Sequence, residues 1–181
     1  MRTTAVRVLL VVSTCALIAG CGGGSGAPRS QRALDALNTG LKAQVAGHYG
    51  AAQQAYRTVL ANDARNKYAY YNLALIAQTE QRPTAADADY RRALAIDPEF
   101  VPALFNLAIL RAGAGANAEA MSLYQHVIAL DDRQAGAHLN LGFLLRAAGQ
   151  PEAGNVQIAR AIELDPSLAR QSTPGGASTN G

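Results

Sequence analysis

The sequence predicts an all-α solenoid built from four copies of one helix–turn–helix unit. Asn72, Asn106 and Asn140 are each followed by leucine and a small residue, they lie 34 residues apart, and a weaker copy occurs at Asn38. A fixed period of this length indicates one supersecondary unit that is repeated and stacked. Helix-breaking residues recur in phase with this period. No segment shows the alternation of apolar and polar residues that a strand would give.

The period divides the chain into units 33–66, 67–100, 101–134 and 135–168 without an insertion. Positions 8 and 20 of every unit hold alanine or glycine, which lets two antiparallel helices approach closely. Position 24 holds a larger residue that can fill the space between neighbouring units. These larger residues are Tyr56, Tyr90, Tyr124 and Ile158.

Glycine and proline predict where the two helices of each unit meet. Gly47, Gly115 and Gly149 follow the first apolar run of their units, where a helix commonly ends in a left-handed residue. The second helices should open with a proline at Pro83 and Pro151, where a missing N–H is tolerated. Other residues take this role elsewhere: in the third unit we expect the Asn117 side chain to cap the second helix.

The last unit is expected to be the weakest part of the array. Gly154 inside its second helix should cost about 1 kcal/mol relative to alanine. Residues 169–181 are predicted to be a disordered tail with at most one further helical turn. Either Leu168 and this turn cover the final helices, or this end docks on another subunit. We expect the first, because single exposed aliphatic residues are normal on protein surfaces.

Residues 1–20 have the organisation of a secretory signal peptide. A short basic segment is followed by an apolar run over 8–18, which is too short to span a bilayer. The run leads into Leu17-Ile18-Ala19-Gly20-Cys21, which resembles the bacterial lipobox. That resemblance implies cleavage before Cys21 and lipidation of its thiol, with acyl chains such as palmitate. The alternative is ordinary cleavage near Ala19 or Gly20, which would leave Cys21 a free thiol.

Residues 21–32 are predicted to be a lipidated cysteine followed by a flexible Gly/Ser-rich tether. Two or more acyl chains give stable anchoring, so we expect a lipid-anchored protein. By resemblance to sorted lipoproteins, Gly22 after the cysteine permits export to the outer membrane, facing the periplasm. In a cell with one membrane, the protein would face the cell exterior. The sequence leaves both arrangements open.

The repeats themselves resemble the tetratricopeptide repeat family over 136 of the 181 residues. The resemblance implies a right-handed superhelix in which positions 2, 5, 6, 9, 12 and 13 of each unit face a peptide-binding groove. The predicted groove residues are Asn38, Tyr68, Tyr71, Asn72, Phe105, Asn106, Asn140, Phe143 and Arg146.

Two interpretations of the asparagine row are open. The amides could pair with the backbone of an extended peptide, since an amide both donates and accepts hydrogen bonds. They could instead bond to neighbouring backbone within the array. A carboxylate-clamp groove of the family would need lysine and arginine at positions 2, 5 and 9, and this chain has none there.

Charge and residue chemistry exclude several function classes. The formal charge of +3 falls to +1 once Arg2 and Arg7 leave with the signal, because 14 Lys+Arg then face 13 Asp+Glu. This nearly neutral chain has no run of basic residues with which to bind the phosphates of a nucleic acid. The histidines are far apart in the repeat frame, and His138 is expected to serve packing. We find no catalytic constellation, and expect no enzyme activity, metal, cofactor or small-molecule substrate.

The sequence therefore predicts a membrane-anchored scaffold that binds protein or peptide partners in the bacterial cell envelope. It resembles small lipoproteins that assist the assembly of pili and secretion systems. The alternative is an adaptor that recruits an envelope enzyme such as a peptidoglycan hydrolase. A capture lipoprotein for small ligands would need a closed pocket, which an open arc of four units does not supply.

Overall fold

A computed structural model describes residues 27–170, and these residues form eight α-helices followed by a short 3₁₀-helix. The predicted signal peptide, Cys21 and the residues beyond 170 lie outside the described part. The helices are α1 (Arg29–Val45), α2 (Tyr49–Asn62), α3 (Lys67–Thr79), α4 (Pro83–Ile96), α5 (Val101–Gly113), α6 (Asn117–Leu130), α7 (Ala135–Ala147), α8 (Pro151–Leu164) and the 3₁₀-helix Pro166–Arg170.

Each unit is one helix pair, as the 34-residue period predicts. Helices α3, α5 and α7 begin at the first residue of their units, and all four second helices begin at position 17. Helices pack most closely within a unit, and each second helix also packs on the first helix of the next unit. The prediction of an all-α solenoid of four helix–turn–helix units is therefore confirmed.

The core repeats along the array in the same way as the sequence. Tyr56, Tyr90 and Tyr124 are fully buried, each among small residues of its own unit and residues of the next. At Gly40 an added Cβ would lie 2.6 Å from the Tyr56 ring. At Gly142 an added Cβ would lie 2.8 Å from the backbone oxygen of Gly154. The small residues at positions 8 and 20 are thus required by close helix contact.

The turn between the two helices is the same in every unit. Gly47, Gly115 and Gly149 have φ of +75°, +76° and +78°, so the predicted left-handed residues are confirmed. The following amides bond back to the last turn, for example Gly47 N–H to the Gln44 oxygen and His48 N–H to the Ala43 oxygen. This is a Schellman motif. In the second unit Gln81 takes the position, with φ +56°.

Two sequence predictions of helix boundaries need correction. Helix α1 begins at Arg29, so the predicted tether over 21–32 ends four residues early. Pro28 occupies the N-cap position, and Arg32 Nε in the added turn donates to Asn62 Oδ1 of α2 at 3.1 Å. Asn117 does not cap α6. It is the first residue inside that helix, at the position that Pro83 and Pro151 occupy in their units, and Ala116 precedes it as the cap.

Candidate functional site

The candidate binding surface consists of positions 2, 5, 6, 9, 12 and 13 of helices α1, α3, α5 and α7, which we call the first-helix face. The structure describes eight exposed large hydrophobic residues, and six of them lie on this face. The six are Leu34, Leu41, Val45, Tyr68, Ile109 and Phe143. The other two, Leu130 and Val156, lie on second helices. Exposed apolar surface is therefore concentrated where the resemblance places a groove.

This face is also nearly free of charge. Six positions in each of four units give 24 residues, and Arg146 is the one charged residue among them. Arg146 lies in the last turn of α7, is exposed, and forms no ion pair among residues 27–170. A ligand of this face would thus meet apolar groups, amides and a single guanidinium.

The asparagines at position 6 differ in how many hydrogen bonds they form with other residues of the repeats. Asn72 is buried, and its Nδ2 donates to the backbone oxygen of Tyr68 at 2.8 Å. Asn106 Nδ2 donates to the Pro102 oxygen at 2.9 Å and to the Tyr71 hydroxyl at 3.1 Å. Asn140 Nδ2 donates to the Tyr124 hydroxyl at 3.1 Å, and Asn38 is exposed. Each of these three amides thus donates at least one hydrogen bond within the array, and their oxygens accept no hydrogen bond in the described residues.

The predicted aromatic residues divide into two groups. Tyr71 and Phe105 are half-buried and pack inward: Tyr71 against the rings of Tyr90 and Phe100, and Phe105 against Tyr124. Tyr68 and Phe143 are exposed. The second group can contact a ligand without disturbing the core, which the spacing of the residues does not reveal.

An aromatic and cationic cluster lies at one edge of the face, at the start of α3. The rings of Tyr68 and Phe100 meet edge to face with centroids 5.5 Å apart. Lys67 Nζ lies 4.8 Å from the Phe100 centroid and 5.2 Å from the Tyr68 centroid, and pairs with Asp97. This ion pair raises the pKa of Lys67 and lowers that of Asp97. Tyr68 is therefore held in place from one side while its other side is exposed.

A hollow of about 230 Å³ lies between α5, α6 and α7. Ile109, Ala112, Tyr124, Asn140, Phe143 and Leu144 line it. It joins two predicted residues, Asn140 and Phe143, to four that the sequence analysis did not select as site residues: Ile109, Ala112, Tyr124 and Leu144. The signal that could have identified it is position 12, which is glutamine in the first two units and alanine in the third.

The buried tyrosines at position 24 have raised pKa values. Burial raises the pKa of Tyr56 to about 12 and also raises the pKa of Tyr90 and Tyr124. The hydrogen bond from Asn140 partly offsets this effect at Tyr124. These hydroxyls therefore stay protonated at neutral pH and can act as hydrogen-bond donors.

Other polar residues belong to the framework. Arg111 donates to Glu119 and Asp87 and so lies in a charge cluster outside the face. His138 is buried, with its ring nitrogens 2.6 Å from Gln157 Oε1 and 3.0 Å from the Asp132 oxygen, in keeping with a packing role. Within residues 27–170 no three His, Cys, Asp or Glu side chains are placed to hold a metal ion. None of the helices described there is long and apolar enough to cross a membrane.

Comparison with known proteins identifies the repeat. Residues 68–100, almost the whole second unit, match the model of the tetratricopeptide repeat family. No curated protein matches the chain by sequence. Residues 68–100 are therefore similar to a tetratricopeptide repeat, and the four helix pairs form a solenoid of the same fold.

Solved structures show the same fold. MamA is similar with a TM-score of 0.69 and 19% identity, over 76% of this chain and 81% of MamA. YrrB, described as a TPR protein with an unusual peptide-binding site, has a TM-score of 0.64 and 23% identity, over 76% of this chain and 71% of YrrB. The first TPR domain of Spaghetti (RPAP3), bound to an HSP90 peptide, has a TM-score of 0.62 and 23% identity, over 66% of this chain and 95% of that domain. Proteins with this fold include peptide binders.

Proposed function

We propose that this chain is a lipid-anchored, non-enzymatic scaffold of the bacterial cell envelope that binds a peptide segment of a partner protein on its first-helix face. The carrying observation is that exposed apolar side chains are concentrated on this face, which contains one charged residue in 24 positions. Such a surface has favourable apolar area to bury and little charge to desolvate. A role in the assembly of pili or secretion systems fits a scaffold of this kind.

The proposed ligand is an extended or helical segment rich in apolar residues. Apolar anchors separated by weakly contributing contacts are typical of peptide grooves. Asparagine oxygens on the face can accept hydrogen bonds from ligand backbone N–H groups. This contribution is independent of ligand sequence, so apolar anchors would supply most of the specificity. YrrB and the Spaghetti domain, which have this fold, provide precedents for peptide binding.

The binding test uses exposed residues, because changes at Tyr71 or Phe105 would also disturb the core. We expect the triple variant Tyr68→Ser, Ile109→Ser, Phe143→Ser to lose partners captured by wild type in crosslinking and pull-down from the native envelope. The expected loss in affinity is more than about tenfold. The circular dichroism spectrum should stay helical.

The matched control is the double variant Leu130→Ser, Val156→Ser. These residues are as exposed as the tested ones but lie on second helices. It should retain the partners. If the control loses them and the triple variant keeps them, the binding surface lies on the second helices and the proposal is wrong.

Membrane anchoring is proposed from the sequence of residues 1–21. We expect Cys21→Ser to move the protein from the membrane fraction to the soluble fraction, since the acyl chains are proposed to supply the anchor. Cys15→Ser changes the other cysteine of the same segment and should leave the distribution unchanged. Membrane association that survives Cys21→Ser would refute the lipid anchor while leaving the binding face untested by that result.

A further inference from the structure

The third unit departs from the first two at one partly buried hydrogen bond. In the first two units the tyrosine at position 24 donates to a glutamine at position 12 of the same unit. The distances are 2.7 Å from Tyr56 to Gln44 Oε1 and 2.8 Å from Tyr90 to Gln78 Oε1. In the third unit position 12 is Ala112, so Tyr124 has no such partner.

Ala112 leaves space beside Tyr124 in the hollow between α5 and α7. Asn140 of the next unit bonds to the Tyr124 hydroxyl as donor at 3.1 Å, and Ala112 forms part of the wall. Ile109 and Phe143 line the hollow and are each 37% exposed, so it is accessible from solvent. Within residues 27–170, the Tyr124 hydrogen and the Asn140 oxygen form no hydrogen bond. The hollow thus combines apolar walls with one available donor and one available acceptor.

Its size and surroundings restrict what can bind. The volume of about 230 Å³ is smaller than the roughly 300–1,000 Å³ of clefts that hold drug-sized ligands. It suits a single large side chain. Arg146 lies one turn beyond Phe143 on the same helix and is the one charged residue of the first-helix face. A guanidinium without an ion pair is matched by a carboxylate.

We propose that this hollow, which we call the Ala112 pocket, binds one large apolar side chain of a partner peptide that carries a carboxylate beside it, and that Ala112 determines this specificity. The carboxylate would pair with Arg146, while a backbone N–H of the peptide donates to the Asn140 oxygen. This inference rests on the proposed peptide-binding function and specifies the chemistry of its ligand.

The test restores the glutamine of the first two units. Ala112→Gln should fill the hollow and let the new side chain accept from Tyr124, as Gln44 and Gln78 accept in their units. Ala129→Gln makes the same substitution on the exposed surface of α6 and serves as the matched control. The purified full chain and each variant are used to select from a displayed library of random short peptides, and affinities of the recovered peptides are then measured.

We expect wild type and Ala129→Gln to enrich peptides with one leucine, methionine or phenylalanine at a fixed distance from an aspartate, a glutamate or the peptide carboxyl terminus. These peptides should bind Ala112→Gln about tenfold more weakly or worse. Arg146→Gln should remove the preference for the carboxylate and keep that for the apolar residue. If Ala112→Gln fails to fold, Ala112→Met fills the hollow with a flexible apolar side chain and provides the same comparison.

Two results would overturn the inference in distinguishable ways. Peptides that bind wild type and Ala112→Gln equally, yet lose affinity for the Tyr68, Ile109, Phe143 triple variant, would refute the Ala112 pocket and leave the first-helix face standing. No enrichment by wild type would also refute the pocket. The proposed function is then decided separately by capture of native partners in the pull-down.

Discussion

At the scale of single residues, the four turns share one left-handed backbone conformation but differ in the residue that adopts it. Three units place glycine at the left-handed position between their helices, and the second unit places Gln81 there with φ +56°. The hydrogen bonds around Gln81 are the same as in the other units, from Gln81 N–H to Gln78 and from Arg82 N–H to Ala77. The backbone shape is therefore imposed by the repeat, and Gln81 bears the steric cost.

We expect Gln81→Gly to increase the free energy of unfolding by about 1 kcal/mol, because glycine avoids the Cβ clash of the left-handed conformation. Chemical denaturation monitored by circular dichroism measures the change. The reciprocal variant Gly115→Gln should lower stability by a similar amount at the same position of the next unit. A loss of stability in Gln81→Gly would show that the glutamine side chain stabilises this turn.

At the scale of helices, a charge cluster connects the second and third units. Arg91 on α4 pairs with Asp87 at 2.7 Å and with Glu119 on α6 at 2.6 Å. Arg111 on α5 pairs with Glu119 at 2.7 Å and Asp87 at 3.4 Å. Alternating charges thus link three helices. Arg91, and to a lesser extent Arg111, lower the pKa of Glu119 below its ordinary value of 4.5.

Because these side chains are partly exposed, we expect a coupling free energy between Arg91 and Glu119 of at most about 1 kcal/mol. A double-mutant cycle with Arg91→Met and Glu119→Gln measures it, and added salt should reduce it. Since the pKa of Glu119 is lower in the folded state, its contribution is present above pH 4.5 and is lost as pH falls through the folded pKa.

The control for this cluster is Glu163→Gln, which removes an exposed pair with Arg160 at 3.3 Å inside α8. It should change stability less, because that pair does not join different helices. Equal effects of Glu119→Gln and Glu163→Gln, with no coupling to Arg91, would mean that the cluster does not hold the units together.

At the scale of the whole molecule, the buried tyrosines form a regular column through the first three units. Tyr56, Tyr90 and Tyr124 occupy the same position in successive repeats and pack against the following unit. Each carries an ionisable hydroxyl in the core. Stability of the entire array is therefore coupled to their protonation.

We expect the melting temperature to fall steeply as pH rises above 10.0, the ordinary tyrosine value. Unfolded tyrosines lose their protons from this pH on, whereas burial keeps Tyr56 protonated to about 12. Unfolding then releases protons, so alkaline solution favours it. Thermal melts at increasing pH, with tyrosinate absorbance recorded in parallel, measure the effect.

A tyrosine-to-phenylalanine pair tests the cause of this pH dependence. Tyr56→Phe should lower stability at neutral pH, because Gln44 loses its hydrogen bond, and should reduce the further loss above pH 10.0. Tyr68→Phe, at an exposed tyrosine, should leave the alkaline profile unchanged. An unchanged profile in Tyr56→Phe would attribute alkaline unfolding to other groups.

The repeated framework was predictable because its signals are local and recur four times. Period, small residues and turn glycines together predict the helix pairs, whose period the structure confirms. Helix ends were less predictable: Asn117 is a favoured capping residue in general, yet the register of its unit places it inside α6. An aspartate also recurs after the second helix of every unit, and its carboxylate accepts a hydrogen bond from the backbone N–H two residues later. The sequence analysis did not use this feature, which comprises Asp63, Asp97, Asp131 and Asp165.

The sequence by itself determined the stacking of four helix pairs and the composition of the first-helix face, since both depend on residue types at a fixed spacing. Only the tertiary structure decided which face residues are accessible. The side chains of Tyr71 and Phe105 pack against neighbouring helices, while those of Tyr68 and Phe143 are exposed. The Ala112 pocket likewise depends on side chains from three helices of two units. Side-chain contacts between neighbouring units depend on how the helices pack in three dimensions. The repeat period of the sequence therefore does not specify them.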